Sequence, residues 1–242
     1  DLGNDFDTSN VTNMSGMFYD CGHYNKAFTL NLGNNFDTSN VTDMSEMFYY
    51  CGYGSEVFTL DLGDKFDTSN VTNMYEMFFY CGFSNVFTLN LGDKFDTSNV
   101  TDMSLMFSYC GYKSEVFTLD LGDKFNTSKV TNMSKMFDYC GYKSEVFTLD
   151  LGDKFDTSNV TDMSRMFAGC GYNSKVFTRL DLSGFNVSPD TNLDRFAKYS
   201  PATEIIFGEG WINAVLPAAG SGNGAFYCDS NVPTKVIGAT PN

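Results

Sequence analysis

Phe36-Asp37-Thr38-Ser39-Asn40-Val41-Thr42-Asp43-Met44-Ser45-Glu46-Met47-Phe48-Tyr49-Tyr50-Cys51-Gly52, followed after a short variable stretch by Val57-Phe58-Thr59-Leu60-Asp61-Leu62-Gly63, is one of six near-identical copies in this chain. The cysteine of each copy falls at Cys21, Cys51, Cys81, Cys110, Cys140 and Cys170, a period of 30 residues with a single 29. Self-similarity at a fixed period of this length is the mark of a solenoid, in which each repeat is one coil stacked on the last. A solenoid offers long regular surfaces for binding or assembly, and no catalytic cluster comes with it.

Within the quoted copy, Met44, Met47, Phe48 and Cys51 stand at i, i+3, i+4 and i+7, the apolar stripe of a short helix. Asn or Asp precedes the stripe in every copy (Asn13, Asp43, Asn73, Asp102, Asn132, Asp162), where a helix N-cap is wanted. Glu46 and Glu76 sit three residues after Asp43 and Asn73, as in a capping box. Gly52 follows Cys51 at the place of a left-handed C-terminal residue. The spacing predicts a two-turn helix in each coil. Phe58, Leu60 and Leu62 alternate with Thr59 and Asp61, the period of a half-buried strand, and a second, two- or three-residue strand is expected at Val71 and Thr72. The expected fold is therefore an α/β repeat solenoid, leucine-rich-repeat-like, with a short parallel strand and a two-turn helix per coil.

Residues 182–200 form a degenerate seventh copy, with Phe185, Leu193, Phe196 and Ser200 in the places of Phe155, Met163, Met166 and Cys170. This gives a repeat solenoid over residues 1–200, of about seven coils, and an irregular C-terminal cap or tail over residues 201–242. Terminal repeats must cover an open core. The chain begins at Asp1-Leu2-Gly3, in mid-strand by the repeat pattern, and the expectation is an uncapped first coil. Asp1 and Leu2 at that end, with Ile205, Ile206, Phe207, Trp211 and Ile212 at the other, are candidate assembly residues. Such heterologous contacts run on as filaments unless they close.

The chain has 242 residues and a formal net charge of −15. That excess argues against nucleic-acid backbones and against docking on anionic lipid. No stretch approaches the ~20 apolar residues that span a bilayer. All twelve methionines lie in the repeated MxxM positions, so the core is expected to be a stack of identical rungs. Stacked equivalents point the same way, which is poor geometry for a disulfide. The six repeat cysteines are therefore expected as buried free thiols, with Cys228 the outlier that pairs near the cap if any does. The chain has one histidine, His23, and no CxxC, so no metal site and no cofactor are expected.

The outward residues supply the candidate sites. Nine N-x-[ST] sequons occur. Asn13 and Asn132 are taken up as predicted caps. Asn10, Asn40, Asn70, Asn99, Asn126, Asn159 and Asn186 are candidate glycan acceptors, against the plainer reading of TSNVT as turn chemistry. Asp61, Asp120, Asp150 and Asp181, with Asn31 and Asn90, form an outward acidic ladder that Ca2+ would relieve. Calcium wants six to eight shaped oxygens, however, and the chain has no string of that kind. Thr29, Thr59, Thr88, Thr118, Thr148 and Thr178 make a row that suggests ordered water or ice, against the ordinary liking of threonine for strands. Tyr50, Tyr53, Tyr80, Tyr109, Tyr112, Tyr139, Tyr142 and Tyr172 either stack on a carbohydrate or protein partner or cover the seam between coils.

The string FDTSNVTDMSxMFxxC followed by a LxLDLSxF strand resembles the BspA-like leucine-rich-repeat surface proteins of bacteria. Leu180-Asp181-Leu182-Ser183-Gly184-Phe185 is the best match to their strand, and the resemblance spans roughly residues 1–200. It implies a solenoid outside the cell or on its surface, used in adhesion, matrix binding or coating, with no catalytic residues. The chain departs from that pattern in a longer loop after Cys-Gly and in strands ending LGDKF. The function expected is a non-enzymatic structural or adhesive surface solenoid. The alternatives are a self-assembling, glycosylated filament subunit and an ice- or carbohydrate-binding array.

Overall fold

The computed structural model describes residues 6–32, 36–63, 65–217, 224–226 and 235–238. Asp1, Leu2 and Cys228 lie outside them. Each VFTL segment is a strand with valine, threonine and Asp/Asn outward and phenylalanine and leucine inward, because side chains alternate along a strand. In chain order the strands are β1 (Ala27–Leu30), β2 (Val57–Asp61), β3 (Val86–Asn90), β4 (Val116–Asp120), β5 (Val146–Asp150), β6 (Arg179–Leu182), β7 (Glu204–Phe207) and β8 (Lys235–Gly238). They pair in parallel with no offset, Phe58 on Phe87 and Thr59 on Thr88. Three sheets result: β1-β2-β3, β4-β5 and β6-β7-β8.

The sheet boundaries follow the irregular copies. The third copy is one residue short between Gly82 and Val86, and β3 and β4 fall in different sheets. Their coils still share backbone bonds, Glu115 N–H to Asn85 O at 3.1 Å and Gly111 N–H to Cys81 O at 3.0 Å. The sixth copy reads VFTRLDL, with Arg179 inserted, and the following turn is shortened from GDKF to SGF. Between β5 and β6 this opens a cleft of about 340 Å³ lined by Leu149, Phe167, Phe177 and Leu180.

The expected helix is absent: the fold is an all-β solenoid, and the leucine-rich-repeat-like α/β reading is overturned. Residues 44–51 form a string of turns. Met47, Tyr49 and Cys51 donate to the carbonyls of Met44, Glu46 and Phe48, three residues back, while Met44, Glu46, Phe48 and Tyr50 donate to Asn73, Tyr75, Met77 and Phe79 of the next coil. Alternate N–H groups thus close turns and join coils. A helix would spend its N–H groups on carbonyls four residues back in its own segment. The physical reason is pitch. Strand pairing sets coils ~4.8 Å apart, whereas packed helices need 8–10 Å between axes. Isolated parallel bridges from Asn13 through Asp43, Asn73, Asp102, Asn132 and Asp162 to Asn192 hold the strand spacing on this side too.

The predicted caps and second strand change accordingly. Asp43 is no N-cap; its Oδ1 accepts the Ser45 N–H at 2.9 Å in a local turn. Asn13 and Asn132 do the same for Ser15 and Ser134. Glu46 closes no capping box and has φ +57°, inside one of the turns. The second strand reduces to the single-residue bridge at Asn73 and its equivalents. Gly52 is left-handed as expected, at φ +67°, but within a turn.

The inward set is the predicted one. Met44, Met47, Phe48, Cys51, Phe58, Leu60 and Leu62 are all buried. Phe48, Phe78, Phe107 and Phe137 stack with ring centroids 5.2–5.7 Å apart. Cys51, Cys81, Cys110, Cys140 and Cys170 are free and buried, and burial raises their thiol pKa values. A buried polar column runs beside this core. Thr38, Thr68, Thr97 and Thr127 each donate a hydroxyl hydrogen bond of 2.7–2.9 Å to a carbonyl of the next coil, from Asp67, Asp96, Asn126 and Asp156. In the C-terminal segment Trp211 is fully buried and donates its indole N–H to Leu182 O at 2.9 Å.

Candidate functional site

Because each coil repeats the last, every outward residue type becomes a column, and the candidate site is a set of columns. On the strand face Val57, Val86, Val116 and Val146 are exposed by 37–60%. The threonine column lies beside them in register, and Thr148 donates to Thr118 Oγ1 at 2.9 Å. The Asp/Asn column comes next. Asp61, Asp120 and Asp150 each accept the N–H of the glycine two residues on, and Asn90 Nδ2 donates to Asp61 Oδ1 at 3.0 Å. Asp181, exposed at the end of this ladder, pairs with Arg179 at 2.9 Å, and Asn31 is exposed. The carboxylates are thus turn-forming acceptors. Among the described residues no group of three His, Cys, Asp or Glu is placed to hold a metal ion. Among these residues no helix is long and apolar enough to cross a membrane.

The tyrosines lie on a second, turn-built face. Tyr50, Tyr80, Tyr109 and Tyr139 stack with centroids 4.3–4.9 Å apart. Tyr53, Phe83, Tyr112, Tyr142 and Tyr172 form a second stack at 4.7–5.1 Å. Tyr19, Tyr49 and Phe79 form a third at 4.7–4.8 Å. This third column and Phe83 were not among the predicted residues, although their period was readable. The ring faces are covered by their neighbours, so mainly edges and hydroxyls meet solvent. Burial raises the Tyr139 pKa to about 12. Lys113 caps the Phe83 ring from 4.7 Å. His23 contacts Asp20 and both neighbouring tyrosine rings, Tyr24 and Tyr53.

The third column breaks after Phe79, where Ser108, Asp138 and Ala168 replace the rings. Asp138 is buried, pairs with Arg165 at 3.0 Å and leaves Oδ1 unsatisfied. Burial outweighs the attraction of Arg165 and raises its pKa to about 7. Over Ala168 lies a hollow of about 210 Å³ lined by Tyr139, Arg165, Arg195, Lys198 and Tyr199.

The sequon asparagines belong to a third surface. Asn40, Asn70, Asn99 and Asn159 donate Nδ2 to the carbonyls of Ser9, Ser39, Ser69 and Ser128 in the preceding coil at 2.7–2.8 Å. The nitrogen a glycan would take is therefore the one that ties coils together. Asn126 accepts the Ser128 N–H through Oδ1, and Asn10 and Asn186 are exposed. Of the assembly candidates at the far end, Ile205, Phe207 and Trp211 are buried within the chain, Ile206 is half-buried and Ile212 is 55% exposed.

Stacked parallel coils with outward residues in repeated columns define a solenoid repeat protein. The chain belongs to the family described as Mycoplasma protein of unknown function, DUF285, whose model matches residues 2–115, 53–175 and 83–204. No curated protein and no solved structure matches it.

Proposed function

We propose that this chain is a non-enzymatic structural and adhesive solenoid of the cell surface or extracellular space. The observation that carries this reading is the strand face, where Thr and its Val and Asp/Asn neighbours repeat in register from coil to coil within the sheets β1-β2-β3 and β4-β5. Identical groups every ~4.8 Å suit a partner that is itself repetitive, such as a polysaccharide or fibrous protein. Each weak contact is multiplied by repetition. The likeness of its FDTSNVTDMSxMFxxC repeats to BspA-like surface proteins supports the location.

The test is binding of the purified chain to immobilised polysaccharides and matrix proteins, beside a Thr88→Lys, Thr118→Lys, Thr148→Lys variant. These threonines are exposed, so the variant keeps the core. Binding that the variant loses supports the reading; no binding across the panel, or binding the variant retains, removes it. Antibody labelling confined to permeabilised cells would remove the location. A second reading, an ice-binding array, is favoured by the exposed valine column beside the threonines. A chain that leaves ice growth unaltered would eliminate it.

A further inference from the structure

On the turn-built face one column changes sign along the solenoid: Glu46, Glu76, Leu105, Lys135, Arg165 and Arg195 occupy the same left-handed position in successive coils, with φ between +54° and +60°. Backbone bonds run up the column through residues next to these, Glu76 N–H to Ser104 O and Leu105 N–H to Ser134 O among them. Leu105 sits at the centre. One coil either side stand Glu76 and Lys135, and two coils either side stand Glu46 and Arg165. Turned end over end about Leu105, the column presents every acid to a base.

Three positions of the adjoining columns show the same reversal in size. About the same coil, Tyr49 is the counterpart of Ala168, Tyr50 of Gly169 and Tyr75 of Ser134. These three rings of the first half each answer a small residue of the second, while Tyr53, Tyr80 and Phe83 answer the rings of Tyr172, Tyr139 and Tyr142. The hollow over Ala168, about 210 Å³ and walled by Tyr139 and Tyr199, is where the counterpart of Tyr49 falls. A foreign partner would impose no relation between the two halves of one face. A two-fold axis imposes this one, because an isologous interface sets residue i on j and j on i.

We propose that two copies of this chain pack antiparallel through their turn-built faces, about a two-fold axis at Leu105, with Glu76 on Lys135, Glu46 on Arg165 and Tyr49 seated over Ala168. Arg165 then serves both Asp138 of its own chain and Glu46 of the other. Like charges that follow one another up each half of the column, otherwise repelling across one coil, are neutralised by the opposing copy.

Sedimentation velocity on the full chain tests this. The wild-type chain, 26.9 kDa, sediments at twice its mass. Glu76→Lys alone and Lys135→Glu alone each create two like-charge contacts across the axis and raise the dimer dissociation constant at least ~10-fold. Mixed in equal amounts, the two variants restore the dimer, since every contact is again opposite in sign. Circular dichroism matching the wild type shows that each is folded. As a second readout, Leu105→Cys in a Cys228→Ser background oxidises to a covalent dimer, whereas Glu46→Cys, four coils or ~19 Å from its own mate, does not. A wild-type monomer at the highest concentration reached, a mixture that stays monomeric, or equal cross-linking at both positions would overturn the proposal.

Discussion

Thr97 shows how much a single side chain carries in a repeated structure. It is fully buried, and its hydroxyl reaches Asn126 O at 2.9 Å. Thr97→Val keeps the shape and orphans that carbonyl, so melting should report a loss of about 1–3 kcal/mol. Thr97→Ser should recover most of it. Asp138 acts in the opposite sense. Its native pKa, about 7, lies above the usual carboxylate value of 3.8, so the folded state holds this proton more tightly than the unfolded one. Its contribution therefore favours folding below pH 4 and is lost as pH rises toward 7. Asp138→Ser, which copies Ser108 one coil earlier, should raise stability at pH 8 by on the order of 2 kcal/mol and remove that slope. Equal gains at pH 4 and pH 8 would show that burial of the charge is not the cause.

At the scale of the element, the inward face was legible and the backbone conformation was not. Met44, Met47, Phe48 and Cys51 are buried as their spacing implies. The same spacing serves a helix and a string of three-residue turns, since both bring i, i+3, i+4 and i+7 to one side. What separates them is how closely the neighbouring coil approaches, a property of no single copy. The clue was in the repetition itself, since identical phenylalanines such as Phe48 and Phe78 imply rungs near strand pitch. The strand was plainer, because Phe58, Thr59 and Leu60 alternate by type, and it was placed one residue late. The buried Thr38 column was hidden inside a segment that reads as turn chemistry. The candidate surfaces were partly legible: the tyrosine rows were found, and the end-over-end relation of Glu76 to Lys135 beside them was not, because it lies between distant copies. Far-ultraviolet circular dichroism should accordingly lack the paired helical minima near 208 and 222 nm. Met103→Ala, in a site with no exposure, should cost ~2–5 kcal/mol, as in other tightly packed cores.

For the whole molecule, the joints between coils matter more than the coils. Strand pairing, the single bridge, alternate turn N–H groups and the threonine hydroxyls all run from one coil to the next. Stability should then follow a nearest-neighbour sum, with the weakest joint between β5 and β6, where Arg179 is inserted and the sheets part. Hydrogen exchange should show amides flanking this joint opening before those of β2, and uniform exchange along the stack would refute the ranking.

The alternation of N–H groups has a mechanical consequence. Since half the bonds of every turn segment are held by the next coil, tension along the stack loads them together, and release of one coil exposes the next to the same load. A coil of ~30 residues unwinds to about 100 Å of extended chain. Pulling one molecule by its ends should therefore give a sawtooth with steps near that length, one coil at a time, so that the stack yields as a shock absorber does. A single all-or-none extension would show instead that the coils fail as one body.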